Sequence, residues 1–150
     1  MELILWRHAD AEDGVPDGER KLTAKGLKQA KKVAKWLKSR LPEDTIIIVS
    51  PAKRALQTVQ PLSADFKVMS EVGTSGSPAS LLTAIGWPEK TGSVLVVGHQ
   101  PTLGETAALL LSGRRQQWEL KKGAVLWLAG QKHDDIQQVH VRAAISSDLL

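Results

Sequence analysis

The 150-residue chain has no cysteine, no tyrosine, one phenylalanine and two methionines. Lacking cysteine, it has access to neither disulfides nor thiolate chemistry. No apolar run approaches the roughly 18 residues of a membrane-spanning helix. Met1-Glu2 followed by Leu3-Ile4-Leu5-Trp6 has neither the basic start nor the long apolar core of a signal peptide. The sequence therefore reads as a cytoplasmic protein that does not engage a membrane. Its glycines form neither a Walker loop nor a G-x-G-x-x-G fingerprint, which removes the familiar nucleotide-binding signatures. Aromatic side chains able to stack on bases are scarce, with five Trp, one Phe and no Tyr. The net charge of +4 is thus read as a solvated face and not as a nucleic-acid surface, although Lys25, Lys28, Lys31, Lys32, Lys35, Lys38 and Arg40 crowd one stretch. Metal binding finds no support either. His8, Asp10 and Glu12 alternate, and His133, Asp134, Asp135 and His140 lie close in sequence, but neither set has a familiar ligand spacing. His133 reads as a hairpin-turn residue and His140 as a strand-surface residue.

What is present is an ordinary globular balance, 42% hydrophobic and 24% charged. A chain of this length makes one domain, residues 1–150, large enough to bury a core. Apolar runs predict strands near 2–7, 45–50, 94–98, 124–129 and 136–142, alternating with helices near 24–41, 52–60, 79–86 and 101–112. Such alternation implies an α/β fold with a mostly parallel central sheet flanked by helices. The last two strands, joined across Gly130 to Asp135, suggest an antiparallel edge hairpin. The first helix shows Leu27, Ala30, Ala34, Leu37 and Leu41 on one face, with Thr23 as its N-cap and Pro42 as its stop. Glu71 to Pro78, rich in Gly and Ser, reads as a mobile loop, and Asp10 to Arg20 as a loop bordering the substrate entrance.

The apolar runs end in a way that a sheet interior alone does not explain. Leu3-Ile4-Leu5-Trp6 runs into Arg7-His8; Ile46-Ile47-Ile48-Val49 into Ser50-Pro51-Ala52-Lys53-Arg54; and Val94-Leu95-Val96-Val97 into Gly98-His99-Gln100-Pro101. Ligands of open α/β sheets bind beyond the carboxyl ends of the strands, so these strand ends deliver cation-capable side chains to one place. Arginine suits a phosphate because its rigid fork meets two oxygens at once and keeps its charge. Histidine can be the nucleophile that accepts a phosphoryl group. Arg7 and Arg54 should help keep His8 neutral, because like charges disfavour protonation of the ring. Attack by the neutral ring then predicts a rate that falls in acid as the ring protonates, and a pH profile flat down to about pH 4, well below the free-histidine pKa of roughly 6.5, would count against that role. Ser50-Pro51 reads as a helix start with Pro in the first position, its N-terminus aimed at an anion. Gln100-Pro101 opens the helix that Gly113 closes.

Four motifs in order, Leu5-Trp6-Arg7-His8-Ala9, Leu22-Thr23-Ala24-Lys25-Gly26-Leu27-Lys28-Gln29-Ala30, Ser50-Pro51-Ala52-Lys53-Arg54-Ala55-Leu56-Gln57-Thr58 and Val97-Gly98-His99-Gln100-Pro101-Thr102-Leu103, resemble the histidine phosphatase superfamily and, within it, the small SixA-type phosphohistidine phosphatases. The resemblance implies a phosphoglycerate mutase-like three-layer sandwich and hydrolysis of phosphohistidine on a protein, such as a phosphotransfer domain. It implies that His8 becomes transiently phosphorylated while Arg7, Arg54 and His99 bind and stabilise the phosphoryl group. Water then releases inorganic phosphate, and no metal or other cofactor is implied. Ser50 is a further candidate for the phosphate shell, and Lys53 a weaker one than Arg54. Glu71, the acid between Phe66 and Pro88, is the candidate general acid. A phosphohistidine leaving group needs such help less than an alkoxide does. Ala9 departs from the glycine usual in the superfamily, a place where glycine permits close backbone approach and positive φ and a methyl could crowd the phosphate or the turn. The resemblance to the SixA-type branch, which often carries alanine here, implies a shift of subfamily more than of activity.

Two alternatives stand beside this reading: a general phosphomonoesterase or small-molecule phosphatase of the same superfamily, and a non-catalytic phosphoprotein-binding module. The protein is expected to be a monomer or weak dimer. The basic helix face would steer an acidic phosphoprotein toward the site, an effect that salt would screen.

Overall fold

A computed structural model describes residues 1–150 apart from the side chain of His133, so the reading of that side chain lies outside the described residues. The strands are β1 Glu2–Arg7, β2 Ile46–Val49, β3 Lys67–Val68, β4 Ser93–Gly98, β5 Val125–His133 and β6 Ile136–Ile145. The helices are α1 Ala24–Lys38, α2 Lys53–Val59, α3 Pro78–Ile85 and α4 Thr102–Ser112. The strands form one sheet in the order β3-β2-β4-β1-β5-β6. β3, β2, β4 and β1 run parallel to one another, whereas β5 is antiparallel to both β1 and β6 and forms with β6 the expected edge hairpin. β3 is an addition to the sequence reading: two exposed residues carry no apolar period that a pattern could reveal.

Alternation along the strands separates two cores, one on each face. Ile4 and Trp6 of β1 join Ile47, Val49, Leu95 and Val97 under α1 and α2, which contribute Val33, Ala34, Leu37, Ala55 and Val59. Leu3 and Leu5 join Ile48, Val94 and Val96 under α3 and α4, which contribute Leu81, Ile85, Leu103 and Ala107. Covered on both faces, the central strands need the near-continuous apolar runs that they have. The result is a three-layer α/β sandwich.

Helix α1 begins where the cap chemistry requires, with Thr23 Oγ1 accepting from the Gly26 amide at 3.0 Å. Its buried face differs from the expected one. Gly26, Ala30, Val33, Ala34 and Leu37 are buried, while Leu27 is 44% exposed. A side chain at position 26 would meet the Asp10 carbonyl oxygen at 2.0 Å, so the loop backbone rests directly on the helix at its glycine, and Leu27 is turned outward. The helix ends at Lys38, ahead of Pro42, in a turn through Ser39 and Arg40. Helix α2 also starts later than Pro51 suggested, at Lys53 with Ala52 as its cap. Ser50 Oγ is engaged in accepting from the Ala52 amide at 3.2 Å, which turns the chain once more before the helix begins.

Candidate active site

The parallel strands β2, β4 and β1 end side by side. Arg7 pairs with Gly98 and Val49 with Val97, and the ladder extends through His8 N–H to Gly98 O and Ser50 N–H to Val97 O, both at 3.0 Å. His8, Ser50 and His99 therefore emerge at the same level of the sheet, at the carboxyl ends where α/β folds bind ligands. The His8 and His99 rings lie 5.2 Å apart between centroids. Arg54 enters from the first turn of α2, and His8, His99 and Arg54 are only 6%, 5% and 4% exposed.

The His8 ring has a defined tautomer. Its Nδ1 lies 2.7 Å from the Ala9 carbonyl oxygen, which can only accept, so Nδ1 carries the proton and Nε2 presents a lone pair. Burial drives the ring's pKa down to about 4, the Ala9 contact opposes the shift, and the cations Arg54, Arg7 and Arg20 lower it further. The sequence credited the guanidiniums; the structure adds desolvation as the larger cause. His99 falls further, to about 3, through burial first and then the neighbouring His8 and Arg54.

His99 is oriented by Ser50. The fully buried Ser50 Oγ accepts from Ala52 N–H and lies 2.7 Å from His99 Nε2. With no other acceptor for its hydroxyl among the described residues, Ser50 donates to Nε2, which leaves the proton of neutral His99 on Nδ1. The structure thus places Ser50 behind His99, as its hydrogen-bond partner.

His99 Nδ1 has no partner, and neither do Arg7 Nε and Arg54 Nε. Among the described residues these are the buried side-chain nitrogens and oxygens left unpartnered, and all belong to the residues singled out at the strand ends. A buried unpaired donor costs about 1–3 kcal/mol, so several in one place demand an explanation. Donors on two guanidiniums and one imidazole, around a neutral nucleophilic ring, are suited to an oxyanion that the ring can attack.

Other arms of the guanidiniums are fixed. Arg7 donates from Nη1 to the Leu120 carbonyl at 2.8 Å. Arg54 donates from Nη1 to the Asp17 carbonyl at 2.8 Å and from Nη2 to Asp17 Oδ2 at 3.1 Å. Arg20 holds the other Asp17 oxygen at 3.0 Å, and these bonds, from Arg20 first, keep the Asp17 carboxyl below the usual carboxylate range. The loop expected to border the entrance does reach the site, through Asp17. Neither Asp17 nor the Leu120 carbonyl could be read from the sequence, because no local spacing ties them to Arg54 or Arg7.

Thr58 was visible only as the end of the third motif. It is fully buried, its Oγ1 accepts from the Ala9 amide at 3.0 Å, and it donates to the Arg54 carbonyl at 2.7 Å. One hydroxyl therefore ties the turn carrying His8 to the helix carrying Arg54. Thr58→Val keeps the shape but strands the Ala9 N–H. It is expected to cost about 1–3 kcal/mol in a denaturant titration and to lower kcat as His8 shifts. Unchanged stability would contradict this role.

Ala9 does not crowd the site. It is not among the residues with positive φ, and its methyl is buried with Ala11, Leu22 and Ala30. Gln29 and Gln57 brace the same region, accepting from the Asp10 and Leu22 amides at 2.9 and 2.7 Å. Lys53 is exposed. Glu71 sits exposed in the 3-10 turn Ser70–Val72, whose Val72 carbonyl packs against Gly98, next to His99. The segment that follows is tied down, contrary to its reading as a mobile loop: Ser77 and Ser80 form a capping box, Ser80 Oγ donates to the Glu71 carbonyl and Thr102 Oγ1 to the Gly76 carbonyl. His140 lies exposed on β6. No group of three or more metal-ligating His, Cys, Asp or Glu side chains occurs among the described residues.

Comparison with known proteins agrees with this geometry. Residues 3–74 match the family model of the histidine phosphatase superfamily (branch 1). The phosphohistidine phosphatase SixA of Escherichia coli is 33% identical over 123 residues, covering 75% of this chain and 76% of that protein. A SixA homolog from Haemophilus influenzae is 32% identical over 130 residues, covering 76% and 79%. The solved structure of the protein histidine phosphatase SixA complexed with tungstate superposes with a TM-score of 0.83 at 25% identity, over 99% of each chain.

Proposed function

Because this chain belongs to the histidine phosphatase superfamily, we propose that it hydrolyses phosphohistidine on a phosphotransfer protein, through a phosphohistidine formed on its own His8 and within a single domain. The observation that carries this reading is the set of unpartnered buried donors on Arg7, Arg54 and His99 around a neutral His8 ring. The tungstate held by the SixA relative is a tetrahedral oxyanion, the shape that such donors suit.

In the first step the His8 Nε2 lone pair attacks phosphorus. The bond from phosphorus to the substrate's imidazole nitrogen breaks, and its electron pair stays on that nitrogen. Arg7, Arg54 and the His99 Nδ1–H stabilise the phosphoryl oxygens, and Ser50 contributes by fixing the His99 tautomer. In the second step water attacks phosphorus, the P–Nε2 bond returns its pair to His8, and inorganic phosphate leaves carrying both of the water's protons, as dihydrogen phosphate, which exchanges them with solvent. An imidazole is an easily protonated leaving group, so the exposed Glu71 carboxylate suits this substrate better than one that departs as an alkoxide. Under this proposal the reaction takes place in the cytoplasm. No helix among the described residues is long and apolar enough to cross a membrane.

Phosphate release from a phosphohistidine-bearing phosphotransfer protein, measured beside p-nitrophenyl phosphate, tests the substrate class. Fast release from the phosphoprotein with little from the aryl ester is expected. The reverse preference would favour the general phosphomonoesterase, and turnover of neither would favour the binding module.

The pH dependence follows from burial. Followed by NMR, the His8 ring is expected to stay neutral well below the ordinary histidine value of 6.5 and to titrate near 4. Turnover should accordingly hold steady through the range where free histidine protonates and fall only near pH 4. This corrects the expectation from sequence that a profile flat to about pH 4 would count against His8, because burial moves the ring's protonation down to that value. Stability follows the same shifts. The unfolded state takes up protons near 6.5, whereas folded His8 and His99 resist until about 4 and 3, so stability is full above 6.5 and declines as pH falls through that window. A His8 midpoint near 6.5 would contradict the buried neutral nucleophile.

A further inference from the structure

A groove of about 500 Å³ opens at Arg7, lined by Lys25 near the start of α1 and by Lys121 and Lys122. A second groove of about 380 Å³ shares Lys25 with it and extends along α1 past Lys28 and Lys32. Positions 25, 28 and 32 fall on one helical stripe, so their ammonium groups line a track leading to the reacting end of the sheet. Of these lysines only Lys122 has an ion-pair partner among the described residues, Asp10 at 3.1 Å.

We propose that this track is the docking surface for the acidic face of the phosphohistidine-bearing protein. The inference rests on the function proposed above and names the chemistry of its partner. A folded protein that presents its phosphohistidine to Arg7 and His8 lays the neighbouring part of its surface over the groove that begins at Arg7. Unpaired lysines there attract carboxylates, raise the encounter rate and fix the register of docking. The lining disfavours nucleic acid. No aromatic side chain borders either groove to stack on a base, and Asp10, Glu119 and Asp148 interrupt the cations, which repels a continuous phosphate backbone but suits a protein face of mixed charge.

The test uses Lys25→Glu/Lys28→Glu/Lys32→Glu. These side chains are exposed, and acidic residues are welcome near a helix N-terminus, so α1 should be retained. On free N-phosphohistidine the variant should match wild type within about twofold. On a phosphotransfer protein with an acidic surface around its phosphohistidine, kcat/KM should fall about 10- to 100-fold, the range of electrostatic steering. Raising salt to about 0.5 M should bring wild type down toward the variant. Titrating the same phosphoprotein into His8→Ala, with and without the lysine substitutions, should show a tenfold or greater loss of affinity, a readout that needs no turnover. Absence of wild-type turnover with this loss intact would sink the proposed function and leave the docking surface standing. An unchanged phosphoprotein affinity, an equal loss on free phosphohistidine, or a loss seen only with a single-stranded oligonucleotide would overturn the docking surface.

Discussion

Replacement of His8 by alanine is expected to reduce phosphate release from the phosphoprotein by about 10⁴- to 10⁶-fold, the scale on which loss of a covalent nucleophile is felt when the remaining groups cannot substitute for it. The alternative nucleophiles are poorly placed. His99 Nε2 is bonded to Ser50, and the site has no thiol because the chain has none. The Ser50 hydroxyl is fully buried and committed to His99. Arg7, Arg54 and His99 remain in His8→Ala, so tungstate or phosphate should still bind. Retained oxyanion binding with lost turnover would separate the loss of chemistry from a collapse of the fold. His8→Asn, closer to the ring in size and polarity, should be as inactive. Turnover within tenfold of wild type by either variant would remove His8 from the reaction.

The second large effect is expected at Arg54. Arg54→Ala removes a buried guanidinium from the proposed phosphoryl site and should cost about 10²- to 10³-fold in kcat, as loss of a preorganised electrostatic donor does elsewhere. Arg54→Lys is the sharper experiment because charge is kept. Arg54 holds Asp17 through both terminal nitrogens and leaves its buried Nε to the site. A single ammonium cannot span both tasks. If it turns to Asp17 the phosphoryl group loses its donor, and if it turns to the phosphoryl group the Asp17 loop is released. A loss approaching that of alanine is expected in steady-state kinetics on the phosphoprotein. Full activity in Arg54→Lys would show that charge alone, without the fork, suffices.

Much of the site was legible because sheet physics exposes it. A run such as Val94-Leu95-Val96-Val97, buried on both faces, has to be apolar, so Arg7, His8, Ser50 and His99 stand out as polar residues placed where each run stops. Their approach to one another follows from parallel pairing, which brings carboxyl ends together. The direction in which each side chain turns was not legible. Ser50 and His99 look alike in sequence as donors at strand ends, yet one supports the other from behind. Asp17, in a loop with no apolar period, gave no sign that it would bridge Arg20 and Arg54. The burial of Val33 in place of Leu27 depends on a backbone contact at Gly26, which no helical period encodes. The tolerance of alanine at position 9 has the same origin: its methyl belongs to a small core under the loop, a direction that the sequence does not specify.

Transfer of the phosphoryl group to His8 is the step on which the proposed reaction turns. The most direct measurement mixes the protein with a radiolabelled phosphohistidine phosphotransfer protein and quenches in alkali, where phosphohistidine survives, before the label is mapped on this chain. Label at His8 in wild type, and none on the chain in His8→Ala, is the predicted result. Label on any other residue, or wild-type phosphate release by His8→Ala, would contradict it.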